Sequence, residues 1–346
     1  MEKFTGVDLY NIDAQLTEEE RAVRDLVRSW VDDRIIPIIE QHCRAGTFPM
    51  HLVPEIGEMG LLGANIEGYG CAGLSNVAYG LICQELERGD SGLRSFVSVQ
   101  GSLAMHPIRS FGTEAQRLKY LPEMAAGRMI GCFGLTEPDF GSNPGGMLTK
   151  AVDDGDSYVL NGAKMWITNG TLAHVAVVWA KLDGEIRGFI VEKGDPGFSA
   201  PEMHGKHSLK ASVTSELVFQ DCRIPKDRLL PGVKGLRGPF SCLNNARFGI
   251  SWGALGAAFG LLDDGELFAP HGSKAEPGEH EARQHHGDGE HRHEAQRAPQ
   301  VREVGHRLHL TPRREPADEA AHEAEGEVRA LGGHRAGSAR SAQVKA

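Results

Sequence analysis

The chain has 346 residues, of which 40% are hydrophobic and 6% aromatic, with a net charge of -10 and six Cys. The acidic balance gives no footprint for nucleic acid or an anionic membrane, and no two Cys form the C-x-x-C spacing of a zinc site or redox pair. No run of about 20 apolar residues is present to span a bilayer. The acidic start MEKFTGVDLYNIDAQ does not read as a secretory signal, so a reducing cytoplasm is the expected compartment and Asn169-Gly170-Thr171 an idle glycosylation pattern.

Residues 1–130 predict a helical domain. Thr17 and Glu20 have capping-box spacing, and Val23, Leu26, Val27, Trp30, Val31, Ile35, Ile38 and Ile39 follow at helical intervals, with Pro37 expected to kink or end the helix. Short helical patterns follow at 51–59, closed by Gly60, and at 113–125, stopped by Gly127. Between them, 73–88 and 92–110 read as two buried helices, the second ending near Pro107 and Phe111-Gly112.

Residues 131–235 change period. Short runs at 132–135, 150–153, 158–160, 164–167, 175–181, 188–191 and 216–219 are divided by Gly, Asp and Asn, which predicts a small antiparallel sheet or barrel. Asp153-Asp154-Gly155 and Leu182-Asp183-Gly184 read as turns. Residues 236–265 return to helix. From Pro270 to Ala346 there is no Phe, Tyr, Trp, Ile, Met or Cys, and ten of the 16 His lie there. The fold class is therefore α+β: an N-terminal helical domain, a middle antiparallel β domain, a truncated start of a C-terminal helical bundle, and a low-complexity, disordered tail over 266–346. For the tail three readings stand, an altered reading frame after about Gly260, a natural disordered tail or a His-rich metal binder, and the resemblance set out below, in which the helix continues past this point, favours the first.

Several motifs carry chemistry. Gly68-Tyr69-Gly70-Cys71-Ala72-Gly73 matches G-x-G-x-x-G, but no strand precedes it, so it reads as a loop between helices. Phe133-Gly134-Leu135-Thr136-Glu137-Pro138-Asp139-Phe140-Gly141-Ser142 runs from a strand into a loop offering hydroxyls and amides, suited to a cofactor's polar edge or to an ordinary turn. In Lys164-Met165-Trp166-Ile167-Thr168-Asn169, alternation places Trp166 and Thr168 on one strand face, either as core residues or as an indole and hydroxyl beside a planar cofactor. Asn244 and Arg247 share a face at a helix start, where they suit a phosphate or adenine-containing ligand or simply meet solvent. Arg94 lies in an apolar helix and needs an acidic partner, either Glu87 or Asp90 or an acidic ligand.

In this order and spacing, FGLTEPDFGS, KMWITN and FSCLNNARFGISWG resemble the acyl-CoA dehydrogenase family over residues 12–262. SGLRSFVSVQGSLAMHPI and VVWAKLDGEIRGFIVEKG resemble its glutaryl-CoA dehydrogenase branch. The resemblance implies FAD as cofactor, an acyl-CoA substrate, electron-transfer flavoprotein as partner, and a homotetramer built through the C-terminal bundle. It also implies that Phe133, Leu135, Thr136, Gly141 and Ser142 line the flavin, and that Trp166, Ile167 and Thr168 border its ring. Ser142, Phe240, Leu243, Asn244 and Arg247 would meet the acyl-CoA. Arg94 and Ser98 would hold the distal carboxylate of a glutaryl chain, which places the ligand reading of Arg94 ahead of the internal pair. The family's base is a Glu in a Tyr-Glu-Gly-Thr-like segment late in the chain. The last Tyr here is Tyr158, so no catalytic residue is identifiable.

Overall fold

Thr17 and Glu20 close the reciprocal cap that their spacing predicts. The Thr17 hydroxyl accepts from the Glu20 amide at 3.2 Å, and the Glu20 carboxylate accepts from the Thr17 amide at 3.0 Å. This cap opens α1 (Glu18–Trp30) in the computed structural model, which describes residues 11–263. The helical domain continues with α2 (Ile36–Ala45), α3 (Val53–Glu58), α4 (Asn76–Gly89), α5 (Ser91–Ser98), α6 (His106–Phe111) and α7 (Glu114–Ala125). The glycine-rich 68–73 stretch is a loop between α3 and α4.

Pro37 and Pro107 do not break their helices. Each stands two residues beyond a π-helical stretch, Val31–Ile35 or Val99–Met105. In an α-helix a proline ring meets the carbonyl four residues back, here that of Asp33 or Leu103. The wider turn moves that carbonyl aside: the Ile36 and His106 amides reach back five residues, to Val31 and Gly101. The chain thus runs helically from Ser91 to Phe111, where the sequence pattern suggests an end.

The β domain comprises β1 (Gly131–Gly134), β2 (Lys150–Asp154), β3 (Ser157–Thr168), β4 (Val175–Leu182), β5 (Glu185–Glu192), β6 (Phe198–Ser199), β7 (Thr214–Pro225) and β8 (Leu229–Leu230). They form one sheet in the order β6-β7-β3-β2-β4-β5-β8, with β1 paired to β4. It is antiparallel except where β1 and β2 run parallel to β4. The exception follows from topology: β3 folds back on the far side of β2, so β4 returns beside β2 in the same direction. The runs at 158–160 and 164–167 belong to one strand, β3, which absorbs two register shifts against β7. Asp183 (φ 51°) and Gly184 (φ 79°) make the type I′ turn between β4 and β5.

β4 is buried on both faces, which explains its unbroken VAVVWA run. Val177 and Trp179 pack with Ile108, Tyr120 and Met124 of the helical domain. Val178 and Ala180 pack with Phe189, Leu217 and Phe219 on the other face. A separate core joins Val27, Leu52, Ile82 and Phe96 inside the helical domain.

The last described element is α8 (Arg237–Asp263), inside the predicted 236–265 remnant. The tail predicted over 266–346 lies outside the described residues. α8 packs along α4 through glycines: a methyl at Gly249 would stand 3.0 Å from the Tyr79 hydroxyl, and one at Gly253 would stand 2.5 Å from the Glu87 carboxylate. Its other side carries Phe240, Ile250, Leu255, Phe259 and Leu261, each 39–59% exposed. A helix apolar on all sides normally sits inside a core. Among the described residues, no helix is long and apolar enough to cross a membrane.

The exposed side of α8 should make the purified chain self-associate. Replacing Leu255 and Phe259 together by Glu is expected to lower hydrophobic-dye fluorescence and light scattering without changing the far-UV circular dichroism. An unchanged dye signal would show that this face is already covered.

Candidate functional site

β1 leaves the sheet at Gly134 and enters the Leu135–Ser142 loop, whose inner side is fixed by one carboxylate. Glu137, 5% exposed, accepts from the Leu148 amide at 2.6 Å, the Thr149 amide at 3.0 Å and the Lys164 ammonium at 2.8 Å. Lys164 is fully buried and also donates to the Leu135 carbonyl at 3.2 Å, while the Met165 amide donates to the Thr136 carbonyl at 2.9 Å. Burial pushes the Lys164 ammonium below its usual range, and Glu137 opposes that shift. Burial also acts to raise Glu137, but the bonds from Lys164, Thr149 and Leu148 outweigh it and keep this carboxyl below the usual range. Thr136 is left half-buried, and Gly141 and Ser142 stay exposed.

Beyond Lys164, β3 bulges. Trp166 takes a left-handed conformation (φ 62°) and is 60% exposed, and the register slips between Lys164 and Ile167. A tryptophan held in this region is strained, a condition that clusters at functional sites. Trp166 and Thr168 keep the shared face that the alternation predicts, and both line one cavity; Ile167 borders it too, while its side chain is buried in the sheet core.

Two helices complete that cavity. The π-helical stretch contributes Val99 and Leu103. Between them the buried Gln100 donates to the Met124 carbonyl at 3.0 Å and the Met129 carbonyl at 2.8 Å, and accepts from the Gly131 amide at 2.7 Å. The stretch is thereby stapled to the start of β1. α8 is seated by Gly238, where a methyl would stand 2.6 Å from the Trp179 ring, and by Asn245, 3.0 Å from the His106 ring nitrogen.

The cavity measures about 390 Å³. It gathers Phe133, Leu135, Thr136, Gly141 and Ser142 from β1 and its loop, and Phe240, Leu243 and Arg247 from α8, around the three β3 residues. Asn244 is not in the lining; its side-chain carbonyl accepts from Arg247 at 3.2 Å and steadies it. Arg94 and Ser98 are not in the lining either. Arg94 is ion-paired with Glu87, and the two border a second cavity of about 520 Å³ with Cys43, Asp90, His207 and Lys210. Asp90, the other acid considered for Arg94, caps α5 through the Gly92 and Leu93 amides. Ser98 is buried behind the cavity wall.

Val99, Leu103 and Pro144 also line the cavity and were not foreseen, nor was the Glu137–Lys164 pair. Lys164 had a visible signal, as the one charge in the Lys164–Asn169 motif. An indole, apolar walls and the hydroxyls of Thr136, Ser142 and Thr168 suit a planar heteroaromatic group with a polar edge, and a methyl at Gly141 would meet open space. Among the described residues, the lining holds no carboxylate.

Residues 17–128 match the family model "Acyl-CoA dehydrogenase, N-terminal domain", and 132–222 match "Acyl-CoA dehydrogenase, middle domain". The mitochondrial short-chain specific acyl-CoA dehydrogenase of Rattus norvegicus is 37% identical over 257 residues, covering 72% of this chain and 62% of the relative. The short-chain specific enzyme of Clostridium acetobutylicum is 36% identical over 267 residues, covering 74% and 70%. Among solved structures, a glutaryl-CoA dehydrogenase of Mycobacterium smegmatis in complex with FADH2 matches at 56% identity and a TM-score of 0.73, over 74% of this chain and 66% of that one. The chain thus spans less than two thirds of the rat relative and of the mycobacterial structure.

Glu137→Ala would leave Lys164 buried without its carboxylate and is expected to cost about 3 to 5 kcal/mol in urea unfolding. Glu137→Gln keeps an acceptor and should cost less. Wild-type stability in Glu137→Ala would remove the pair's structural role.

Proposed function

The chain belongs to the acyl-CoA dehydrogenase family, and we propose that its cavity binds FAD and an acyl-CoA thioester for α,β-dehydrogenation of the glutaryl type. The observation that carries this reading is the convergence of Thr136, Ser142, Trp166, Thr168 and Arg247, from three separate segments, on one cavity. Bound FAD supplies the two-electron acceptor for hydride from the β-carbon. Thr136 and Thr168 offer hydroxyls to the polar edge of the flavin, and Trp166 packs at its ring. Ser142, at the outer end of the loop, is placed to touch both cofactor and thioester. Phe240, Leu243 and Arg247 receive the CoA portion, with Arg247 as an anion anchor. Val99 and Leu103 keep water from the acyl chain.

For the substrate, 56% identity to a glutaryl-CoA dehydrogenase against 37% to a short-chain enzyme supports a dicarboxylic acyl chain. In this reading Arg94 and Ser98 receive the distal carboxylate, so Arg94 is shared between that carboxylate and Glu87. Loss of the α-proton and the β-hydride gives the α,β-unsaturated dicarboxylic thioester; loss of carbon dioxide then leaves a dienolate, a proton returned to its γ-carbon gives crotonyl-CoA, and the two electrons pass on to electron-transfer flavoprotein.

A second reading rests on the lining itself. With no carboxylate there among the described residues, the chain would bind FAD and acyl-CoA without turning over. Anaerobic absorbance spectroscopy of the purified full chain separates the two. A flavin spectrum bleached by glutaryl-CoA faster than by butyryl-CoA is the expected result for a glutaryl-type enzyme. A yellow protein that neither thioester bleaches supports the second reading, and a colourless one removes FAD binding altogether. Arg247→Ala is expected to weaken CoA-thioester binding about tenfold or more, as loss of a charge-assisted contact does.

A further inference from the structure

The strand that faces the cavity ends in a turn, and the turn holds a buried amide that the cavity lining does not include. Beyond its bulge, β3 pairs with β7 only through Ile167↔Ser215 and Thr168↔Thr214. The chain then reverses. The Gly170 amide donates to the Ile167 carbonyl at 3.3 Å, with Thr168 and Asn169 at the centre of the turn. Asn169 is left-handed (φ 67°), as the third position of a type II turn requires. Thr168 therefore stands between the left-handed Trp166 and the left-handed Asn169, at the end of a ladder with two rungs left to hold it.

Glycine is the ordinary choice at such a third position. Asparagine adds a side-chain amide, and here that amide is used. Asn169 is 2% exposed, and its Nδ2 donates at 3.4 Å to the carbonyl of Phe96, a residue of α5. Its backbone N–H donates to the Val213 carbonyl at 3.0 Å, and its own carbonyl accepts from the Leu172 amide at 3.0 Å. One residue so joins the end of β3, the approach to β7 and the body of α5.

Both sides of the turn are firm. On the β7 side a methyl at Gly170 would lie 1.9 Å from the Ser215 hydroxyl, so the turn already packs as closely as glycine permits. On the α5 side the Phe96 ring is buried and stacks on Phe48 with centroids 4.5 Å apart, which fixes the backbone that Asn169 bonds. Phe96 also lies between Arg94 and the cavity-lining Val99 in the same helical run. The tie thus spans from the strand end that carries Thr168 to the helix that leads into the opposite cavity wall.

We propose that Asn169 is a positioning residue for the flavin: its side chain ties the turn that carries Thr168 to the α5 backbone, and so sets the Thr168 hydroxyl at the polar edge of the cofactor. The proposal deepens the FAD-binding reading and rests on it. Because glycine satisfies the turn without strain, Asn169→Gly keeps the local backbone and removes only the amide.

The test is fluorescence titration of the full chain with FAD, together with the visible spectrum of the saturated protein and thermal unfolding of the FAD-free form. Asn169→Gly should weaken FAD about three- to tenfold, the range for one lost hydrogen bond, and move the flavin bands away from their wild-type positions. Asn169→Asp keeps the size and tolerates the turn but points a carboxylate oxygen at the Phe96 carbonyl, so its loss should be larger. The FAD-free Asn169→Gly chain should unfold close to wild type. A wild type that takes up no FAD overturns the cofactor reading and this proposal with it. Wild-type FAD affinity and flavin bands in both variants overturn the proposal alone. So does lowered thermal stability with an unchanged flavin spectrum, or loss of folding in both variants, because Asn169 then serves the fold and not the cofactor.

Discussion

The cavity depends on an ion pair that never touches it. Glu137 and Lys164 are both nearly inaccessible to water, and taking two charges out of water is costly unless every remaining hydrogen-bonding position is filled. Here they are largely filled: Glu137 takes two backbone amides and the ammonium, and Lys164 adds the Leu135 carbonyl. The knot joins the exit of β1, the approach to β2, and β3 just before its bulge. Its inner position also dictates two glycines. The Lys164 stem crosses Gly134, where a methyl would lie 3.2 Å from its Cγ, and Thr149 crosses Gly162, where a methyl would lie 2.6 Å from its hydroxyl. Thr136 and Trp166 then stand one and two residues from a fixed charge, on the outside of the knot.

The helical side of the cavity is held by a different device. A π-helical stretch is less favourable than α-helix, and such stretches recur at functional sites. In this chain it relieves Pro107 and brings Val99 and Leu103 to the cavity. Gln100, between them, uses its whole amide on the backbone of α7, the following turn and β1. The same side chain thereby holds the altered helix and the first strand in register.

Much of this architecture was legible in the sequence because it is local. The Thr17–Glu20 capping box and the Asp183-Gly184 turn are written in neighbouring residues. The loop from Phe133 to Ser142 was recognisable because hydroxyls and glycine follow a strand. What escaped reading is non-local or defies the simple period. Glu137 and Lys164 are 27 residues apart, and nothing in either motif says that they meet. The left-handed bulge at Trp166, which slips the register between Lys164 and Ile167, has no signal in a period-two pattern. Pro107 breaks an α-helix but not a π-helical turn, so the residue rule was right and the helix type was not. The partner of Arg94 could be narrowed to Glu87 or Asp90, and only packing decides between them, because Asp90 is spent on capping α5.

The composition of the cavity wall separates binding from proton transfer. The described lining offers neutral hydroxyls, an indole, aliphatic side chains and one guanidinium. Hydroxyls of Ser and Thr do not accept a carbon-bound proton near neutral pH without a stronger base beside them, and a guanidinium has no proton-accepting capacity at all. Asp139 of the loop is exposed and outside the lining, and Glu137 of the same loop is already occupied by three donors. Glu87 is held by Arg94 at the second cavity. Neither can reach a substrate in the cavity without dismantling what positions it. In the proposed reading residues up to Arg247 hold the cofactor and the acyl chain, and dehydrogenation calls for a proton acceptor that the described lining does not hold; the exposed apolar side of α8, which begins at the cavity with Phe240, offers surface for a further contribution to bury against.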